Sequence, residues 1–207
     1  SDRRAPKAVK AYARKHPHRM GKWDPASASH VAHMEDGDFY GSEQSYTMIN
    51  AGSVRIEYTS VTGSSFPLRG PVPLQAGEMI DAAVMSASAL ASFIDAQIED
   101  AQARGVLFSL HLKATMMKVS DPIMFGIAVS RFYAPVLEKH PRTLAEIGFD
   151  PNNGIGDLHA KLGQLPDSQR AGIEADIAAL YAQRPGLAMV NSDKGITNLH
   201  VPSDVIV

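Results

Sequence analysis

Residues Val106 to Pro122, VLFSLHLKATMMKVSDP, confine the fold more than any other stretch of the chain: an alternating run climbs to a lysine, breaks, and feeds a helix. Val106, Phe108, Leu110 and Leu112 alternate with Leu107, Ser109, His111 and Lys113, the period-two pattern of a half-buried strand. Lys113 then falls at the carboxyl end of that strand. A turn is expected through Ala114 to Lys118, after which Ser120, Asp121 and Pro122 supply a cap and a first-turn proline for the next helix. Ligands gather just beyond the carboxyl ends of strands in open α/β sheets. The residues alone leave two readings of Lys113: an ammonium facing a substrate, or a lysine whose stem lies along the strand with its head in water.

The preceding segment, Glu78 to Arg104, carries Ile80, Val84, Ala87, Ala91, Ile94, Ile98 and Ala101 at alternating spacings of four and three, which predicts one long helix with a single buried face. Gly105 suits a left-handed helix terminator before the strand. Pro122 to His140 and Asp167 to Gln183 read as further helices, the second with Ile173, Ile177 and Leu180 inward, and Leu187 to Val190 as a short buried strand. Upstream, Tyr46, Met48, Val54, Ile56, Tyr58 and Val61 predict two strands folded back at Asn50 to Gly52, and Gly63 to Pro73 reads as a loop. That loop holds Ser64, Ser65 and Arg69, polar enough to touch a ligand although such segments are more often plain connections. Long helices around hydrophobic strands give an α/β class, a layered domain with a mixed β-sheet flanked by helices.

Three polar stretches invite chemistry. Ser1 to Lys22 holds Arg3, Arg4, Lys7, Lys10, Arg14, Lys15, Arg19 and Lys22 against the single acid Asp2. A helix start with forked guanidinium groups suits carboxylates or phosphates, while the plain alternative is a solvated helix lying over something acidic. His16, His18, His30 and His33 form a histidine-rich window, but no acidic residue stands at a helical offset, and inter-segment hydrogen bonding is the default over a metal. DPNNGIGDLHAKL, Asp150 to Leu162, has two glycines at G-x-G spacing without the third, which favours a turn and helix start over a dinucleotide loop.

A formal net charge of −2 gives no general pull toward nucleic acid or an anionic membrane, so neither is an expected partner. No apolar run approaches the roughly 18 residues of a spanning helix. Zero cysteines remove disulfide and thiolate chemistry and fit a reducing, cytoplasmic setting. The missing initiator methionine and the apolar Val205 to Val207 at the end read as cuts through a longer protein.

Leu110 to Gly126, LHLKATMMKVSDPIMFG, together with SDRRAPKAVKAYARKHPH at Ser1 to His18 and SDKGITNLHVPSDVIV at Ser192 to Val207, closely resembles the monomeric type of NADP-dependent isocitrate dehydrogenase. The likeness runs end to end, yet it covers well under a third of that family's chain. It implies that residues 1–207 are part of the large domain facing a substrate and metal cleft, with 1–73 holding the basic helix, hairpin and loop and 74–207 a helix-rich α/β portion. It also implies oxidative decarboxylation of isocitrate to 2-oxoglutarate with NADP as oxidant and Mg²⁺ or Mn²⁺ as the metal. By resemblance, Lys113 is the catalytic, substrate-binding lysine, paired with a tyrosine beyond this chain, and Arg3 holds a substrate carboxylate. The last motif leads to a metal-ligating aspartate just past Val207, so Asp193 and Asp204 are not assigned as ligands, nor is any cofactor-binding residue. Lys118 reads as a turn cap or a partner of Asp121. The partners implied are isocitrate and the remainder of the same polypeptide, and the 207 residues alone are expected to be inactive. The alternative is a non-catalytic excised domain, or an anion-binding module built on the basic amino-terminal helix.

Overall fold

Eighteen residues of uninterrupted helix, α3 (Ala87–Arg104), form the spine of the molecule in a computed structural model that describes residues 6–16, 24–110 and 119–187. Ser86 caps α3, its hydroxyl accepting from the Ala89 N–H, and Gly105 closes it in the left-handed conformation (φ 66°), with its own N–H bonded back to the Ala101 and Gln102 carbonyls. Leu90, Ile94, Ile98 and Ala101 form the buried stripe. α4 (Ser120–Phe132) packs directly against α3, and α5 (Ala134–Lys139), α6 (Pro141–Glu146), α7 (Ile155–Leu162) and α8 (Asp167–Tyr181) complete the same hydrophobic core, with a short 3-10 turn (Pro151–Asn153) between α6 and α7. Leu158, Leu162, Ile173 and Ile98 are the most completely buried side chains. An aromatic chain crosses this core, with Phe108 stacked on Phe132 at 6.4 Å, Phe132 tilted against Tyr133 at 5.0 Å, and Tyr133 edge-on to Tyr181 at 6.0 Å.

The amino-terminal part is built differently. The exposed helix α1 (Lys7–Lys15) and one turn, α2 (Phe39–Ser42), precede four strands: β1 (Gln44–Thr47), β2 (Gly52–Thr59), β3 (Ser65–Leu74) and β4 (Met79–Ala82). β1 pairs antiparallel with β4, and β2 with β3, giving two separate two-stranded ladders. The β2–β3 ribbon turns through Ser60 to Ser64, where Gly63 has φ 83°, and the Ser64 N–H donates to the Ser60 hydroxyl at 3.1 Å. The segment around α2 is tied to the stretch that leads from β4 into α3: the Ser86 N–H donates to the Gly37 carbonyl at 2.7 Å, and the Ser42 hydroxyl bridges both backbone groups of Val84.

The α/β class holds, and three local expectations change. Asn50 to Gly52 connects the two ladders and does not fold β1 onto β2, because β1 finds its partner in β4. The Pro- and Gly-rich stretch after Gly63 is a strand: both strands of a two-stranded ribbon are edges, so Pro67 and Pro73 need donate nothing to a further neighbour. The long helix starts at Ala87 and not near Glu78, since Ile80, Ala82 and Val84 also satisfy a period of two and Ile80 pairs with Tyr46 in β4. The strand expected from Val106 and the one from Leu187 meet in minimal form, as a parallel bridge between Phe108 and Leu187. Among the described residues no helix is long and apolar enough to cross a membrane.

Two contacts lend themselves to direct tests. Gly126 lies on α4 where the 3-10 turn crosses it, and a Cβ built there would overlap the Asn152 side chain and sit 3.0 Å from the Asn152 Cα. Gly126→Ala is expected to destabilise by about 1–3 kcal/mol despite alanine's better helix propensity, because backbone and not merely a side-chain tip must move; equal chemical-denaturation midpoints would show that the crossing can relax. The second contact is the clasp between α5 and α8, where Asp176 accepts from Lys139 Nζ at 2.7 Å and from His140 Nε2 at 2.6 Å. These bonds, Lys139 first, hold the Asp176 carboxyl below its ordinary value. Its contribution to stability is therefore full above the unfolded value of about 3.9 and is lost as the pH falls through the folded one. Asp176→Asn should lower the thermal midpoint at neutral pH, and the gap to the unsubstituted chain should close in acid; a gap independent of pH would rule this out.

Candidate functional site

The parallel bridge fixes where a site can form. The Phe108 N–H donates to the Gly186 carbonyl at 2.8 Å, and Val106 N–H donates to the Ala101 carbonyl at 3.1 Å, so the segment leaves α3 directly into the bridge. Phe108 and Leu187 run parallel to one another in that bridge. Phe108 is buried there, while Leu110 and Leu187 are half-buried and pack on the core. One segment leads from Leu110 toward Lys113 and the other from Leu187 toward the motif that begins at Ser192.

Next in chain order after residues 111–118 comes α4. Its amino-terminal cap is Val119, which makes no side-chain cap bond, so Ser120 lies inside the helix and does not cap it as expected; Asp121 stands in the first turn. The helix is held in place at its far end. Arg131 grips Asp95 of α3 with Nε at 2.8 Å and Nη2 at 2.6 Å, and that hydrogen-bonded carboxylate pushes the guanidinium pKa further up. Tyr133, one residue beyond α4, shares a 2.7 Å hydrogen bond with Tyr181, and burial first, then that bond, pushes its phenol well above the ordinary range. Tyr133 is thus a neutral hydrogen-bonding group joining the end of α4 to α8.

Lys113 and Arg3, the two residues that carry the expected chemistry, lie outside the described residues, as do Arg4, His18, Lys118, Asp193 and Asp204. The described part of the basic segment, α1, is solvent-exposed throughout, with Arg14 and Lys15 in its last turn. Of the histidine window, His30 Nε2 lies 3.2 Å from Asp100 Oδ2, and Asp100 also accepts from Arg104. His33 Nδ1 lies 3.3 Å from its neighbour's carbonyl, that of Met34, and the His16 ring tilts against Tyr12. Among the described residues no three His, Asp or Glu side chains converge in a way that could hold a metal ion. Asp150 to Leu162 is the 3-10 turn followed by α7, with Gly154 at φ 80° between them. The Asp95–Arg131, His140–Asp176 and His30–Asp100 pairs were not foreseen individually: their partners are 36, 36 and 70 residues apart, and no local pattern ties them.

Comparison with known proteins supplies what the described geometry leaves open. The chain is 64% identical over all 207 residues to isocitrate dehydrogenase (NADP) of Azotobacter vinelandii. It is 53% identical to isocitrate dehydrogenase (NADP) 2 of Mycobacterium tuberculosis and 44% identical to isocitrate dehydrogenase (NADP) of Corynebacterium glutamicum, again over its full length. In each case it spans 28% of the relative's length. The family described as monomeric isocitrate dehydrogenase matches residues 1–207 without a break. Over its whole length, this chain belongs to that family.

Proposed function

We propose that this chain forms part of an enzyme that oxidatively decarboxylates isocitrate to 2-oxoglutarate with reduction of NADP, and that it contributes one wall of the substrate cleft. The observation that carries this reading is the identity of 44–64% along the entire chain to proteins named for that reaction. Residues 1–207 belong, on this reading, to the large domain of the longer polypeptide, which works in the cytoplasm. NADP when bound accepts the hydride, and Mg²⁺ or Mn²⁺ polarises the substrate oxygen. The described residues do not gather a ligand set for such an ion; on this reading its ligands, like the nucleotide pocket, belong mostly or wholly to the polypeptide outside this chain.

What this chain supplies is charge and a proton carrier. Isocitrate brings three carboxylates, and the hydroxyl proton must leave as the hydride departs from the same carbon. Loss of carbon dioxide from the resulting β-keto acid then leaves an enolate, which needs positive charge beside its oxygen and a proton returned to carbon. Lys113, beyond the carboxyl end of the bridged segment, is assigned to proton exchange at the substrate hydroxyl and to stabilising the enolate oxygen. Arg3 is assigned to a substrate carboxylate, the planar, forked recognition for which a guanidinium is suited. In chain order the Phe108–Leu187 bridge precedes Lys113 and the Arg131-bearing helix α4, tied to Asp95, follows it.

In the full-length enzyme, Lys113→Met should cut turnover on the order of 100- to 10,000-fold while isocitrate still binds. Turnover near that of the unsubstituted enzyme would remove Lys113 from the mechanism. Arg3→Ala should instead raise KM by roughly ten- to a hundredfold, the loss of one charged hydrogen-bonding partner. The 207 residues alone, supplied with isocitrate, NADP and Mn²⁺, should reduce no NADP; measurable turnover would show that this piece carries a whole active site.

A further inference from the structure

The β2–β3 ribbon has two unlike faces. Ser53, Arg55, Glu57 and Thr59 share one side of β2, where Arg55 Nε meets Glu57 Oε1 at 3.0 Å and the Thr59 hydroxyl meets that of Ser65 across the ladder at 3.0 Å. That face carries the polar side chains of β2, with Pro73 and Pro67 opposite Ser53 and Glu57. The other side carries Val54, Ile56 and Tyr58, with Val72 directly opposite Val54, Arg69 opposite Ile56 and Phe66 opposite Tyr58, so that a single charged side chain stands among five apolar ones. Ile56, Tyr58 and Phe66 are 54%, 53% and 56% exposed. An apolar stripe of this kind on a ribbon is the signature of a face that is meant to be covered.

Nothing described in this chain covers it. Among the described residues every buried hydrophobic side chain lies between Leu90 and Leu180, so the ribbon contributes nothing to the core and the core gives nothing to the ribbon. A two-stranded hairpin is marginal in water by itself and needs a further strand or a packed surface to persist. A seven-pair ladder with two register irregularities is therefore incomplete without a partner.

We propose that the apolar face of the β2–β3 ribbon is the docking surface for an apolar sheet or helix face of the same polypeptide, lying outside these 207 residues. Two observations select that occupant over a second copy of the chain. The chain spans only 28% of the length of its relatives, so in proteins of that length most of the polypeptide lies elsewhere and is available as a cover. The family is described as monomeric, which places the cover within one molecule. The proposal rests on the reading of this chain as part of a longer protein, but not on the assignment of Lys113 or Arg3.

The test is Tyr58→p-benzoylphenylalanine in the full-length enzyme, irradiated and mapped by peptide mass spectrometry. The substitution replaces one aromatic ring by another on the apolar face. An intramolecular crosslink from position 58 to a peptide outside residues 1–207 is the expected result. A crosslink between two molecules, or one that stays within residues 1–207, would overturn the proposal. Should that variant fail to fold, hydroxyl-radical footprinting of the unsubstituted enzyme decides: Tyr58 and Phe66 should be oxidised at least tenfold more slowly than their intrinsic reactivity predicts, and oxidation at the rate of free side chains would overturn it. A crosslink result is independent of turnover, so loss of the catalytic assignment would leave this one standing, and the reverse.

Discussion

The stripe of Leu90, Ile94, Ile98 and Ala101 on α3 is the surface on which the rest of the helical layer depends. Burying it requires α4 alongside, and the Arg131–Asp95 fork orients that pairing from the edge of the contact. Each exit from the layer follows from this. Gly105 turns the chain out of α3 in a conformation that residues with a side chain rarely adopt, and within three residues Phe108 is in the core and bridged to Leu187. The entry into the parallel bridge thus follows from how one helix is capped.

The aromatic chain and the Asp176 clasp perform a different task, tying α8 to the α4–α5 corner. Tyr133 and Tyr181 satisfy one another where the core reaches the surface, and Asp176 gathers Lys139 and His140 on the next turns. Leu187 lies six residues beyond the end of α8, so these polar ties bear on where the second parallel segment meets the first.

Helices and their buried faces were legible in the chain wherever the period was unambiguous. Ile94, Ile98 and Ala101 are inward as their spacing demands, and so are Ile173, Ile177 and Leu180. Ile80 and Val84 were not legible, since residues 80, 82 and 84 fit a strand and a helix equally well and only pairing with β1 decides. Pro67 and Pro73 misled for a related reason: proline argues against a strand that is bonded on both sides, and no local pattern says that this one is an edge. The candidate site was legible through long motifs, not through periodicity. Lys113 and Arg3 sit in stretches whose resemblance to a family is specific, and the full-length match to that family bears out the resemblance while leaving their geometry outside the described residues.

By itself the sequence determined the class of the fold, the caps and stripes of its longest helices, and the family, because each of these resides in local chemistry or in contiguous motifs. Tertiary structure alone decided which strands pair, that the ribbons stand apart from the helical core, and that Phe108 and Leu187 run side by side. Strand partners are selected by hydrogen bonding between segments distant in the chain, and a residue's own neighbours carry no record of that choice. The same reason separates the exposed apolar face of the ribbon from the buried stripe of α3: both read as core in sequence, and only the packing reveals which of them has found its partner within these 207 residues.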